Sequence, residues 1–197
     1  PRVAIALQAY LRDSEHDVRE LIRWARRHKR RIGVRLVKGA YWDSEIACAK
    51  QKNWPIPVYL DKTETDANYE RLSRLLLENH DVIDPAFGSH NLRSLAHAIV
   101  AAKMIGVPNG GYEMQMLYGM AEPVRQAIIE HGERVRVYLP VGDLLPGMSY
   151  LIRRLMENTS NTSFLRQTYA DRKDIASLSK APNPAIKTNN GAASLDA

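Results

Sequence analysis

The sequence contains little cysteine, no long apolar run and few of the familiar ligand-binding fingerprints. Cys48 is the only cysteine, which excludes a disulfide scaffold and a cysteine-rich zinc site and is typical of a reducing compartment. No run of roughly 18 apolar residues is present, so we expect no membrane-spanning helix. A G-x-G-x-x-G fingerprint, a P-loop and a G-x-S-x-G elbow are all missing, and the histidines lack metal-ligand spacing.

The overall composition is that of a globular protein with a basic balance. Hydrophobic residues make up 45% of the chain and charged residues 25%, and 28 lysines and arginines against 22 carboxylates give a net charge of +6. The densest basic stretch, residues 23–31, ends a predicted helix, where cations suit the helix dipole. No aromatic ladder and no DNA-binding motif accompany this stretch, so we expect no nucleic-acid partner for this segment.

The two ends of the chain differ in character. Residue 1 is a proline that leads directly into an apolar, strand-like run, with no initiator methionine and no signal-peptide plan. We therefore expect the chain to begin inside a longer protein. Residues 180–197 are rich in proline, asparagine, alanine and serine, and we predict that they form a flexible tail or linker.

Strand-like and helix-like segments alternate along the chain. The predicted strands are residues 3–9, 32–37, 86–89, 112–117 and 135–139. One predicted helix is capped by Ser14 and another begins at Glu122-Pro123. The other predicted helices cover residues 43–52, 65–79, 93–104 and 147–158. This alternation predicts an α/β fold with a parallel sheet. Two architectures compete: a complete five-stranded doubly wound sheet, and an incomplete (β/α)₈ barrel, which needs eight strands and about 250 residues.

Polar residues worth attention lie where the predicted strands end, which is the active-site face of parallel α/β folds. Arg35 stands out, because a guanidinium within a strand needs an anionic or hydrogen-bonding partner. Tyr150, Arg154 and Glu157 share one face of the last predicted helix, and Arg153 adds a second guanidinium that suits a carboxylate or phosphate. These residues fit an enzyme, and they also fit a non-catalytic α/β module that binds an anionic ligand.

Several long motifs, in order and in register, carry a family resemblance. They are LQAY (7–10), VRLVKGAYWDSE (34–45), SHN (89–91), YEMQMLYGM (112–120), YLPVG (138–142) and YLIRRLMENTSNTSF (150–164). Together they resemble the proline dehydrogenase domain of bacterial bifunctional proline utilization A over roughly residues 3–168. Several such motifs in register are far more specific than one short pattern.

The resemblance implies a fold, a cofactor and a reaction. It implies a (β/α)₈ TIM barrel that is incomplete here, with about the last five strands and their helices in residues 1–179. It also implies FAD-dependent oxidation of L-proline to Δ¹-pyrroline-5-carboxylate, with electrons passed to membrane quinone and a fused aldehyde dehydrogenase domain outside this chain. The expected location is the cytoplasm, at the inner face of the membrane. As an isolated fragment, the chain is expected to be poorly active or inactive.

The resemblance also implies a role for individual residues. Arg35 and Tyr138 are expected to be catalytic. The expected substrate-binding residues are Tyr41, Leu117, Tyr138, Arg153 and Arg154. The expected FAD-binding residues are Gln8, Arg35, Val37, Lys38, Gly39, Ala40, Trp42, Thr65, His90, Asn91, Gln115 and Glu157. Tyr118 stands where relatives usually have histidine, and the Lys and Asp that the first barrel strands supply in the family have no counterpart here.

Overall fold

Five parallel strands form one sheet in the computed structural model, which describes residues 3–143, 145, 147–150, 152 and 180–183. The strands are β1 (Ala4–Gln8), β2 (Ile32–Val37), β3 (Ile83–Gly88), β4 (Glu113–Leu117) and β5 (Val135–Tyr138). The helices are α1 (Ser14–His28), α2 (Trp42–Gln51), α3 (Lys62–Glu78), α4 (Leu92–Ile105) and α5 (Glu122–Glu130). The predicted parallel α/β sheet is confirmed, and most of the predicted helix 147–158 lies outside the described residues.

The order of the strands excludes one of the two predicted arrangements. The sheet runs β1-β2-β3-β4-β5, so each strand lies beside the next one in the chain and every pair is parallel. A doubly wound sheet reverses its strand order at a switch point, and no reversal occurs among the described strands. The doubly wound alternative is therefore wrong for this part of the chain.

The helices cover one face of the sheet and form the core there. Alternate residues of β2 are buried against this core, and the core includes side chains from α1, α3, α4 and α5. The fully buried members with the largest side chains include Tyr69, Leu72, Leu76, Phe87 and Met114. No helix within residues 3–143 is long and apolar enough to span a membrane.

Two predicted helix starts differ from the structure for identifiable reasons. Helix α3 begins at Lys62 rather than at 65, because Asp61 and Glu64 form a capping box that starts the helix earlier. Helix α1 is capped at Asp13, while Ser14 is its first residue and donates its hydroxyl to the carbonyl oxygen of Leu11 at 2.7 Å.

The opposite face of the sheet carries no described helix, and most of its side chains are small or polar. Because paired residues of parallel strands point to the same side, the strand register defines two neighbouring rows on this open face. One row contains Ala6, Arg35, Ala86 and Glu113, and the next contains Gln8, Val37, Gly88, Gln115 and Arg136. Leu117 and Tyr138 pair on the same face, two residues closer to the carboxyl ends of the strands than Gln115 and Arg136.

Candidate functional site at the carboxyl ends of the strands

Arg35 is the central charged side chain of the open face. It is half-buried, and its guanidinium carbon lies 5.8 Å from the centroid of the Tyr138 ring. Its Nε is buried and has no hydrogen-bond partner among the described residues. A buried donor on a cation is costly to leave unsatisfied, so this atom indicates a ligand with an acceptor group.

Gly88 provides the space that Arg35 occupies. A Cβ atom at this position would lie 2.9 Å from the Val37 side chain and 3.5 Å from Arg35 Nε. Gly88 pairs with Val37 in the strand register, so no side chain projects from the sheet at this position on the open face. The arrangement leaves room for a flat group to approach the guanidinium.

The loop after β2 is fixed by contacts within the chain. Gly39 has a φ of 140°, and a Cβ there would lie 2.4 Å from ring atoms of Tyr10, so only glycine fits this position. The backbone N–H of Tyr10 donates to the carbonyl oxygen of Lys38 at 2.8 Å. Trp42 donates its ring N–H to the Tyr59 carbonyl oxygen at 2.7 Å. Ala40 and Tyr41 are exposed beside these anchors.

Lys38 directs its ammonium group toward helix α3. Its Nζ lies 2.5 Å from Asp66 Oδ1, and Lys62 Nζ lies 2.7 Å from Asp66 Oδ2. Thr65, another predicted cofactor residue, is buried in the same helix. The Lys38 side chain therefore connects the loop after β2 to α3.

The pKa of Asp66 predicts that its ion pairs with Lys38 and Lys62 depend on pH. Burial alone raises the pKa of this carboxyl, but the charges and hydrogen bonds of Lys38 and Lys62 outweigh burial and hold the pKa below its usual value. A carboxyl whose pKa is lower in the folded state stabilises the fold above its unfolded pKa of about 3.9, and this contribution is lost as the pH falls through the folded pKa. The protection of β2 and α3 amides from hydrogen exchange should therefore fall as the pH is lowered.

We expect Asp66→Asn to reduce this protection already at neutral pH and to flatten its further loss in acid. Hydrogen–deuterium exchange measured on β2 and α3 peptides between about pH 7 and pH 3.5, corrected for intrinsic rates, tests this. Glu78→Gln is the control, because it removes an exposed pair with Arg74 that is expected to contribute little. An equal loss of protection in acid in the wild type and in Asp66→Asn would contradict the stabilising role of the Asp66 carboxylate.

His90 and Asn91 join β3 to its neighbours. His90 Nε2 accepts a hydrogen bond from the backbone N–H of Leu117 at 2.9 Å, which ties the loop after β3 to the end of β4. The Asn91 side chain caps α4 by accepting from the backbone N–H of Ser94 at 3.0 Å. Both residues are thus engaged within the chain at the site, and their cofactor contacts stay predictions.

The apolar border of the site lies at the ends of β4 and β5. Leu117 is buried, and Tyr138 is about half exposed, with the Tyr150 ring 6.2 Å from its own ring. The structure therefore brings the predicted Gln8, Arg35, Val37, Gln115, Leu117 and Tyr138 to one face of the sheet. Arg153, Arg154 and Glu157 lie outside the described residues.

Sequence reasoning missed two residues that hold predicted site residues in place. Glu113 precedes Gln115 by two positions in β4, and this period-2 spacing is a signal that both face the same side of the sheet. Asp66 contacts Lys38 from helix α3, and no local pattern in the sequence indicates that pairing.

A parallel α/β sheet with polar side chains at the carboxyl ends of its strands defines a class of ligand-binding and catalytic domains. Comparison with known proteins narrows this class. A model of the family described as proline dehydrogenase matches residues 1–167. The chain belongs to the proline dehydrogenase family.

Individual relatives show how much of a larger protein the chain represents. It is 38% identical to the bifunctional protein PutA of Escherichia coli (strain K12) over 172 residues, which is 84% of this chain and 13% of that protein. It is 33% identical over 162 residues to proline dehydrogenase 2 of Bacillus subtilis (strain 168), covering 82% of this chain and 47% of that protein. The chain thus spans less than half the length of these relatives.

A solved structure supports the same fold. The crystal structure of proline utilization A from Bdellovibrio bacteriovorus, inactivated by N-propargylglycine, superposes with a TM-score of 0.88 at 53% sequence identity. The match covers 91% of this chain and 19% of that one. The predicted membership of this family is confirmed.

Proposed function

We propose that this chain supplies the later strands of an FAD-dependent proline dehydrogenase that oxidises L-proline to Δ¹-pyrroline-5-carboxylate. The observation that carries the proposal is Arg35, a half-buried cation on the open face whose Nε has no partner among the described residues. Membership of the proline dehydrogenase family supports the substrate. An anionic or acceptor edge of a flavin fits the unsatisfied donor.

We infer that residues 1–179 belong to a (β/α)₈ barrel completed by other segments, with 180–197 as a tail or linker. The sequential order of parallel strands suits a barrel, whose closure requires each strand to pair with the next. Among the described strands, β1 and β5 each have one unpaired edge, and unpaired edges need covering in a stable protein. The isolated chain is therefore expected to be poorly active.

We assign the cofactor to the rows around Arg35. FAD would be held by Gln8, Arg35, Val37, His90, Gln115 and the backbone of the loop at Lys38, Gly39, Ala40 and Trp42, with Thr65, Asn91 and Glu157 completing the set. When bound, FAD supplies the acceptor for a hydride. The Arg35 cation favours negative charge on the reduced ring, while Gly88 leaves its approach open.

The substrate would lie between the apolar border and the last predicted helix. Leu117, Tyr41 and the ring of Tyr138 would contact the proline ring and exclude water. Arg153 and Arg154 would bind the carboxylate, because planar guanidinium forks fix its orientation and hence the ring carbon that faces the cofactor. We also propose that membrane quinone, at the cytoplasmic face, accepts the electrons. A fused aldehyde dehydrogenase domain would then consume the product.

The test is anaerobic addition of L-proline to the complete gene product that carries this chain, with flavin absorbance as the readout. We expect bleaching in the wild type. In Arg153→Ala and in Arg154→Ala, the proline concentration for half-maximal bleaching should rise by about tenfold or more, since each loses a charge-assisted hydrogen bond. Arg19→Ala, which removes an exposed cation of α1 paired with Glu15, is the control.

Three results would contradict parts of this proposal. A flavin-loaded protein that proline cannot reduce would exclude proline as the substrate. Unchanged proline dependence in both arginine variants would exclude the carboxylate clamp. A complete gene product that binds no flavin would exclude the enzyme and favour a non-catalytic module that binds an anionic ligand.

A further inference from the structure

A network of charged side chains surrounds Glu113 on the open face of the sheet. The Glu113 side chain is only 12% exposed, and Arg136 binds it through two parallel hydrogen bonds of 2.7 and 2.9 Å. Arg134 Nη2 lies 3.4 Å from the same carboxylate. The network borders a cavity of about 300 Å³ on the open face, lined also by Arg35. Neither arginine was among the predicted site residues.

Glu113 also contacts the predicted cofactor residue Gln115. The Gln115 Nε2 donates to Glu113 Oε1 at 2.7 Å. Burial alone raises the pKa of Glu113, but hydrogen bonds from Arg136 and Gln115 and the charges of Arg136 and Arg134 outweigh burial and lower it. The carboxylate is therefore ionised near neutral pH and acts only as an acceptor.

The Glu113 carboxylate fixes the orientation of the Gln115 side-chain amide. Gln115 must present its NH₂ group to Glu113, because its carbonyl oxygen facing a carboxylate would be repelled. The Gln115 oxygen is left without a donor among the described residues. Gln115 lies in the same row as Gln8, Val37 and Gly88, where the proposed cofactor site is centred.

We propose that Glu113 is a positioning residue, which fixes the Gln115 amide so that its oxygen accepts a hydrogen bond from an N–H group of the bound cofactor. This inference rests on the proposed function. It implies that the site favours a ligand with a hydrogen-bond donor facing Gln115. A ligand with an acceptor there would form no hydrogen bond with the Gln115 oxygen. Arg134 and Arg136 contribute by keeping the Glu113 carboxylate in place.

The test is a double-mutant cycle on the dissociation constant of FAD, measured by flavin titration of the apo form of the complete gene product. We expect Glu113→Ala and Gln115→Ala each to weaken FAD binding by about fivefold to tenfold, the range of one net hydrogen bond. The double variant should bind no more weakly than Gln115→Ala alone, because Glu113 acts through Gln115. Glu113→Gln, whose side-chain oxygen can still accept from Gln115, should retain most of the affinity.

Glu70→Ala is a matched control on the helical side of the sheet. Glu70 is 13% exposed and receives two hydrogen bonds from Arg93, of 2.7 and 3.0 Å, so its burial and pairing resemble those of Glu113. We expect Glu70→Ala to lower the melting temperature comparably without changing the FAD dissociation constant. A loss of FAD affinity in Glu70→Ala equal to that in Glu113→Ala would show a general structural effect and overturn the proposal.

Two further outcomes separate this inference from the function on which it rests. Additive losses in the double variant, or unchanged FAD affinity in Gln115→Ala, would overturn the positioning role while leaving the dehydrogenase intact. A wild type without FAD affinity would overturn both. Coupled losses of affinity, with retention in Glu113→Gln, support the role of Glu113.

Discussion

On the proposed function, we expect Arg35→Met in the complete gene product to slow the reduction of bound flavin by L-proline by about 100-fold to 1,000-fold, the range for removing a donor aimed at developing charge. The Arg35 guanidinium lies on the open face with its Nε unpartnered among the described residues. In a partly desolvated site, such a cation stabilises negative charge far better than water does. Methionine retains much of the apolar stem of arginine and removes only the charged donors. Anaerobic stopped-flow absorbance measures the effect.

The Arg35 prediction has a conservative variant and a distant control. Arg35→Lys keeps the charge and loses the Nε donor, so its rate should lie between those of wild type and Arg35→Met. Arg74→Met removes an exposed arginine of α3 that pairs with Glu78 and should leave the rate unchanged. Reduction of Arg35→Met at the wild-type rate would show that Arg35 has no part in the chemistry.

We expect Phe87→Ala to destabilise the fold by about 3–5 kcal/mol, a large share of the 5–15 kcal/mol typical of a whole domain. Phe87 lies in β3, is fully buried, and contacts the Tyr112 ring edge-on at 6.1 Å between centroids. Phe87 belongs to the core cluster that also contains side chains of α3 and α4, and a core relaxes only in part around a cavity. Soluble yield and hydrogen exchange of β3 and α4 peptides measure the loss.

Val100→Ala provides the comparison for Phe87→Ala. Val100 lies on α4, and its side chain is 54% exposed, so truncation should change stability by no more than about 0.5 kcal/mol. Wild-type exchange rates in Phe87→Ala would show that the helical layer does not depend on this side chain. Loss of protection in both variants would instead indicate that α4 is only marginally stable.

Much of the fold is predictable from the sequence because its signals are local. Apolar runs located all five strands, and 3.6-residue periodicity predicts an inward stripe of α3 at Tyr69, Leu72, Leu75 and Leu76. All of these are buried except Leu75, which is half-buried. The predicted strand 86–89 begins three residues later than β3, which starts at Ile83 and contains Pro85. Strand β4 pairs with β3 only from Ala86 onward, so Pro85 lies where β4 leaves the strand unpaired.

The candidate site is predictable only in part, because its contacts join distant segments. Strand ends indicated Arg35, Gln115 and Tyr138, and the register places these residues on one face. The hydrogen bond from the Leu117 N–H to His90 joins two strand–helix units, and the ion pair of Lys38 with Asp66 joins residues 28 positions apart. Periodicity carries no information about such pairs, because they depend on how the units pack.

The order of the strands bears on how the protein is made. Each strand pairs with the one that precedes it in the chain, so a strand emerging from the ribosome finds its partner already synthesised. The sheet can therefore grow in the direction of translation, one strand–helix unit at a time. An interruption of synthesis between units would therefore leave an unpaired strand edge at the last completed unit.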